Sequence, residues 1–474
     1  YFCNRMQKRI LVLFLLAAAS LPAQNLQKDI ALGKQYSEYV ETLVGIYDNQ
    51  ELTAYIKAVG DKLTSQLEEP LFDYQYTILA TPDPNAFSIP GGHLYITTGM
   101  FPLLESEDEL ACIMAHEIIH AKNRHVIKSN RRGIIPAILQ IPGAIIGAVV
   151  DENIGNAINS PFRQISQLTH ASYNRRQETE ADLEGLEIAA KAGYDPEALK
   201  SILSRIGKYG EIMLGAAEEK NRYATHPMTA KRVAKIEKIQ PKLEKGERMY
   251  LANNFTEKFD GALAGSDPSH GVFVKQTFLN PTDRFKLVFP EDWECGFMGN
   301  LIAGASIENK EYMRVTYEET DVNPTAAANK YLEELNPYLK DAVIGSKPIS
   351  VGEKIGHIVA FKEQSGEDMY YGARTWVKQD SLLFSFLAVS TTKDQSKMEK
   401  IIYSLSNLNQ ADIQTIEVST LKLVRARENE SVAALIERTK AEWSEAITLL
   451  INQKKAGDLF QKGETVKVVV PEKL

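Results

Sequence analysis

Met114-Ala-His116-Glu117-Ile-Ile-His120-Ala-Lys122 is the stretch on which the reading of this 474-residue chain turns. It lies inside a run, 107–129, that reads as one strong helix, with Glu107, Asp108 and Glu109 at its positive end. On a helix, positions i and i+4 differ by about 40°, so His116 and His120 point the same way and suit one shared metal ion. Glu117 flanks that ion, where a carboxylate takes a proton from water. Two imidazoles and one oxygen suit zinc and leave a fourth position open. Zinc brings the pKa of water down to about 7, which supplies a nucleophile at neutral pH. With 8 histidines and 62 acidic residues in the chain, a chance match somewhere is roughly one in fifty. Coincidence is the weaker reading.

A third ligand has to come from elsewhere. His125 lies about 140° around the helix from His120 and so faces away. The metzincin spacing would need Gly at 123 and His at 126, where Asn123 and Val126 stand. Arg175-Arg-Gln-Glu178-Thr-Glu180-Ala181-Asp182 opens another helical run with two acids four apart. Glu178 would then ligate while Asp182 orients a ligand histidine. A solvated acidic face is the competing reading, because Glu180 and Glu184 are close by.

Composition bounds the rest. The chain is 44% apolar, 24% charged and 8% aromatic, which excludes disordered, collagenous and disulfide-scaffold classes. Its net charge is −8, and removing Arg5, Lys8 and Arg9 takes it to −11. So acidic a body is a poor partner for nucleic acid. The three cysteines, at 3, 112 and 295, form no C-x-x-C pair, so neither a thiolate zinc site nor a disulfide framework is expected.

From Met6, read as the start, a basic pair (Lys8, Arg9), the apolar Ile10–Ala19 and small residues before Gln24 describe a signal peptide over 1–23. A zinc domain is expected over 24–250, mainly helical, with a β-hairpin over Asn85–Thr98 hinged at Pro90-Gly91-Gly92. A linker follows at 251–271. An α+β domain spans 272–408, with alternating Phe285, Leu287 and Phe289 and strands at 356–363, 372–378 and 382–389. The tail, 409–474, reads strand, helix, helix, strand. The fold class is therefore multidomain α+β.

In order along the chain stand His-Glu-x-x-His, then Glu178-x-x-Ala181-Asp182, then His226-Pro227-x-x-x-x-Arg232. With Asn85-Ala-Phe, Pro90-Gly-Gly and Gly193-Tyr-Asp-Pro196, this order resembles the gluzincin family of the CAAX prenyl protease. Within it, the chain resembles the BepA-like periplasmic branch, over about 30–245. The resemblance implies one Zn2+ per chain held by His116, His120 and Glu178, with Glu117 as general base and Asp182 orienting a histidine. It implies that His226 and Arg232 stabilise the oxyanion of the tetrahedral intermediate. It also implies an extended substrate added as a strand beside Asn85–Ser88. From its residues alone, His226-Pro227 reads as a helix-start turn sooner than as a catalytic pair, and His226 has a third reading as a latency ligand on the zinc.

Asp283-Arg-Phe-Lys-Leu-Val-Phe-Pro290 and Trp293 resemble a PsbP-like domain, and Glu430-Ser-Val-Ala-Ala-Leu435 with Gly463-Glu-Thr-Val-Lys-Val468 resembles a LysM-like module. Asn429 replaces the module's usual Gly, which sets protein docking against peptidoglycan binding. Gly133–Val150 holds one polar residue, Gln140; as helix it would reach about 27 Å. Pro136 and Pro142 favour a buried or cleft-covering helical pair over peripheral membrane contact. The function expected is a periplasmic zinc metalloendopeptidase acting on unfolded or misassembled envelope proteins, with outer-membrane assembly machinery or peptidoglycan as partners. The alternative is an envelope chaperone or scaffold that binds clients without cutting them.

Overall fold

The computed structural model describes residues 26–42, 44–129, 173–214, 230–248, 250, 254–306, 308–335, 340–365 and 367–474. The leader, 1–23, and the apolar Gly133–Val150 lie outside the described residues. Among those described, no helix is long and apolar enough to cross a membrane. The chain divides into two compact units: one gathers the described residues up to 129, 173–266 and 418–472, and the other comprises 267–417 with 473–474.

Unit one is built around a buried helix. Its elements are α1 (residues 26–42), α2 (Gln50–Thr64), β1 (Gln75–Leu79), β2 (Ala86–Ile89), β3 (His93–Thr97), α3 (Glu107–Lys122), α4 (His125–Ser129), α5 (Arg175–Lys191), α6 (Ala198–Leu214) and α7 (Ala230–Ile239). Every residue of α3 from Glu107 to Ala121 is buried, so the helix has no solvent face and its sequence shows little amphipathic contrast. Around it pack α2, α5, α6 and β2. The run 107–129 is not one helix, because α3 stops at Lys122 and α4 restarts at His125, with Arg124 between them at φ 54°.

The small sheet has the order β1-β3-β2, with β1 parallel and β2 antiparallel to β3. The β2–β3 pair is a hairpin, Ala86 opposite Ile96 and Ile89 opposite His93. Its hinge needs glycine: Gly91 and Gly92 stand at φ 82° and 90°, and a Cβ on Gly92 would lie 2.6 Å from that of Phe72.

Two expectations about boundaries are corrected here. Within the stretch 251–271, residues 255–264 are no free linker, since Phe255 and Phe259 enter the core of unit one, the latter with its ring 4.8 Å from that of Phe101. Its main chain is also stitched to the tail, Gly261 and Ala264 donating to Leu421 and Ser419 at 2.8 Å each. Nor is the tail a separate body. It does run strand (Glu417–Arg425), helix (Val432–Thr439), helix (Glu445–Ile451), strand (Thr465–Lys473), with a small core of its own around Leu435, Phe460 and Val466. However, Leu421, Ile447, Ile451 and Val469 belong to the main core of unit one. Lys467 is buried there, donating to the carbonyls of Pro102 (2.7 Å) and Leu104 (3.0 Å) and to Glu105 (2.6 Å). A buried ammonium needs that many acceptors to offset its lost hydration.

Unit two comprises two antiparallel sheets. The strands are β4 (Val272–Val274), β5 (Thr277–Asn280), β6 (Phe285–Val288), β7 (Glu294–Met298), β8 (Leu301–Ser306), β9 (Glu311–Glu319), β10 (Val343–Val351), β11 (Lys354–Ser365), β12 (Asp368–Gln379), β13 (Leu382–Ser390) and β14 (Ser406–Asn407). The large sheet runs β10-β11-β12-β13-β9-β8-β7 and the small one β14-β6-β5-β4. Helix α8 (Pro324–Glu334) packs on β11 and β12, while Met398, Ile401 and Ile402 of α9 (Ser396–Ser404) enter the core with Phe278, Phe285, Trp293, Phe384 and Phe386. The multidomain α+β class is as expected; β4, β5, β7, β8, β9, β10 and β14 are additions to the strands read from the sequence.

Candidate metal centre

Capping residues set where the two site helices begin. Ser106 accepts from the amide of Glu109 at 3.2 Å to start α3, and Asn174 and Gln177 cap α5 reciprocally. Glu178, Asp182 and Gly185 follow at i, i+4 and i+7, one face of α5. Gly185 is buried, and a Cβ there would sit 3.1 Å from the amide nitrogen of His116. The glycine thus lets α5 approach α3 closely enough for the two acids to reach the histidines.

They do reach them. The Nε2 atoms of His116 and His120 are 3.0 Å apart, Glu178 Oε2 is 3.7 Å from the first and Glu178 Oε1 is 3.6 Å from the second. One ligand atom from each residue fits within a 4.8 Å span. Three donors on a tetrahedral zinc, with bonds near 2.0–2.1 Å, stand about 3.3 Å from one another, so the set fits the ion. The chemistry agrees, because two buried imidazole nitrogens at this distance must share a proton or a cation.

Beneath the ligand atoms lies a set of supports. Asp182 Oδ1 is 3.2 Å from His116 Nδ1. Arg232, buried on α7, donates to both Asp182 oxygens at 2.8 and 2.7 Å and lies 3.0 Å from Glu178 Oε2. Burial alone would raise the Asp182 carboxyl, but His116 and Arg232 hold it down at about 2. Glu117, 2% exposed, accepts from Ser88 on β2 at 3.3 Å. The general-base candidate therefore sits beside the edge strand of the small sheet.

His125 requires a correction. It does not face away from His120: their Nδ1 atoms are 3.0 Å apart, and His125 is fully buried. The 100° step per residue fails because the helix is interrupted at Asn123 and Arg124. The left-handed Arg124 is held by Asp29 of α1, with one N–H···O contact at 3.0 Å. On its other side His125 Nε2 is 3.3 Å from Glu180 Oε2, and Arg176 donates to Glu180 Oε1 at 2.7 Å. Tyr173, which had no signal in the sequence, stacks on the His120 ring at 3.8 Å. Burial, then the charges of Glu117 and Glu178, hold its phenol protonated.

The acids at the start of α3 are structural. Glu107 accepts from Tyr55 (2.8 Å) and Tyr194 (3.1 Å), Asp108 from the amide of Asp195 (2.8 Å), and Glu109 from Arg205 (2.8 Å). Cys112 is a buried free thiol. His357 belongs to unit two, between Ser346 (2.8 Å) and Thr325 (3.1 Å). His226 lies outside the described residues.

Residues 50–240 match the family model described as Peptidase family M48 and form a peptidase M48 domain. The chain is 26% identical over 226 residues to the mitochondrial metalloendopeptidase OMA1 of Schizosaccharomyces pombe, covering 47% of this chain and 61% of that one. It is 24% identical over 243 residues to the beta-barrel assembly-enhancing protease of Escherichia coli (strain K12), covering 48% of each. A BepA-like M48 gluzincin is consistent with both. The chain thus spans about half the length of these relatives. Among solved structures, cyanobacterial PsbP from Synechocystis sp. PCC 6803 aligns with 29% of this chain and 95% of its own at 11% identity and a TM-score of 0.23, too low to establish a shared fold.

Proposed function

We propose that this protein is a periplasmic zinc metalloendopeptidase that hydrolyses peptide bonds in unfolded or misassembled envelope proteins. The observation that carries this reading is the convergence of His116, His120 and Glu178 next to Glu117, inside a peptidase M48 domain. The names of the relatives, a metalloendopeptidase and a beta-barrel assembly-enhancing protease, support the reaction and the substrate class. The same naming favours outer-membrane assembly machinery as a partner over peptidoglycan.

His116, His120 and Glu178 would hold one zinc ion. When bound, zinc supplies a Lewis acid that activates water and polarises a carbonyl. Glu117 takes the proton of the attacking water and delivers it to the leaving amine. Its carboxylate lies beside β2, so a substrate strand paired along Asn85–Ser88 would bring its scissile bond to Glu117. Asp182 orients His116. We assign Arg232 to holding Asp182 and Glu178 in place, rather than to the oxyanion, because its guanidinium is already on those two carboxylates. The oxyanion role then falls to His226.

Glu117→Gln tests the reading. Cleavage of unfolded casein should fall by about 10²–10⁴-fold while zinc content, measured by metal analysis, stays at one per chain. Undiminished cleavage would remove Glu117 as the base. Full cellular function without cleavage would transfer the role to a client-binding scaffold.

A further inference from the structure

We propose that His125 is a positioning residue of the metal centre: its Nδ1 accepts the Nδ1–H of His120 and so fixes His120 in the tautomer whose Nε2 lone pair faces Glu178. The inference rests on the zinc reading and adds a residue to it that the His-Glu-x-x-His motif does not contain.

The assignment follows from counting protons. A 3.0 Å contact between two Nδ1 atoms requires one of them to carry a hydrogen and the other to accept it. If His125 donated, the remaining proton of a neutral His120 would sit on Nε2, the atom 3.0 Å from His116 Nε2 and 3.6 Å from Glu178 Oε1. That tautomer has no lone pair for a metal. The far side of His125 decides between the two. Glu180 Oε2, 3.3 Å from His125 Nε2, belongs to a carboxylate that only accepts, so the proton of His125 belongs on Nε2 and its Nδ1 is left as an acceptor. Arg176 on the other Glu180 oxygen keeps that carboxylate turned toward the ring. The chain runs Arg176, Glu180, His125, His120, each group settling the direction of the next.

The backbone is arranged for this contact. A non-glycine residue in the left-handed region costs about 1–2 kcal/mol, and Arg124 adopts it at φ 54° in the step that turns His125 under His120. Gln177 holds the result by donating to the His125 carbonyl at 3.1 Å. The two ligand histidines are thereby supported by different chemistry, His116 by the Asp182 carboxylate and His120 by an imidazole.

The test compares His125→Leu with His125→Asn, whose Oδ1 stands close to the Nδ1 it replaces and accepts the same hydrogen. Zinc affinity is read by competition with a chromogenic chelator, and ligand geometry by the visible spectrum of the cobalt-loaded protein. His125→Leu should bind zinc about 10–100-fold more weakly and shift the cobalt bands, and His125→Asn should restore both. Wild-type affinity and an unshifted spectrum in a folded His125→Leu chain would overturn the proposal. So would an Asn variant as weak as the Leu one. Should His125→Leu fail to fold, Glu180→Ala takes its place, with an expected loss of about 10-fold; unchanged affinity there overturns it equally. A wild-type chain that takes up no zinc would instead sink the metallopeptidase reading.

Discussion

The interiors of the two units are made of different material. Unit one buries Glu107, Asp108, Glu109, Glu117, Glu178, Asp182, Arg205, Arg232 and Lys467, and each has a partner at hydrogen-bond distance. Unit two buries rings, with Phe285 edge-on to Phe384 at 4.8 Å, and Glu311 beside Lys397 is its buried carboxylate among the described residues. Apolar packing stabilises by area and tolerates small shifts. A buried charge costs several kcal/mol unless its partners stand in one particular geometry. Charge is therefore the material of choice where atoms must be placed to a fraction of an ångström, and unit one is where the candidate metal ligands are.

The contrast can be broken from the aromatic side first. Phe384→Ala should destabilise unit two by about 3–5 kcal/mol, seen as an earlier denaturant midpoint. Zinc affinity should not move, and a change there would mean the two interiors are not independent. Lys467→Met comes next. It leaves Glu105 and two carbonyls without their ammonium, and unit one should lose roughly 3 kcal/mol in calorimetry while the unit-two transition stays put. Asp182→Ala has the smallest effect and the narrowest one. It should weaken zinc binding about 10–100-fold, about 1.4–2.7 kcal/mol, read by chelator competition. A loss as large in fold stability as in zinc affinity would show that Asp182 serves packing rather than the metal.

What the sequence disclosed follows the same division. His116, Glu117 and His120 sit within one helix, and Glu178, Asp182 and Gly185 within another, so local periodicity puts each set on one face. Meeting across the two helices is a tertiary event, and the order of motifs was its only signal. A helical count misplaces His125 because the interruption at Arg124 is supported by Asp29, 95 residues away, a pair that no such count contains. Phe255 and Phe259 were hidden by polar neighbours in a stretch that reads as a linker. In unit two, Leu301-Ile-Ala-Gly-Ala-Ser306 lacks the alternation that marked β6, since Ile302 through Ser306 are all buried.

Lys467 meets Glu105 across 362 residues of sequence, and this bears on the order in which the protein comes into being. A ribosome working from the amino terminus has already made the histidine helix, the acidic helix and residues 267–417 of unit two before that lysine exists. Until it arrives, the carbonyls of Pro102 and Leu104, just ahead of the histidine helix, lack their donor. A chain grown only as far as Lys467's predecessors thus holds the two site helices without this brace. The strand that carries Lys467 is thereby a condition for a fully braced unit one.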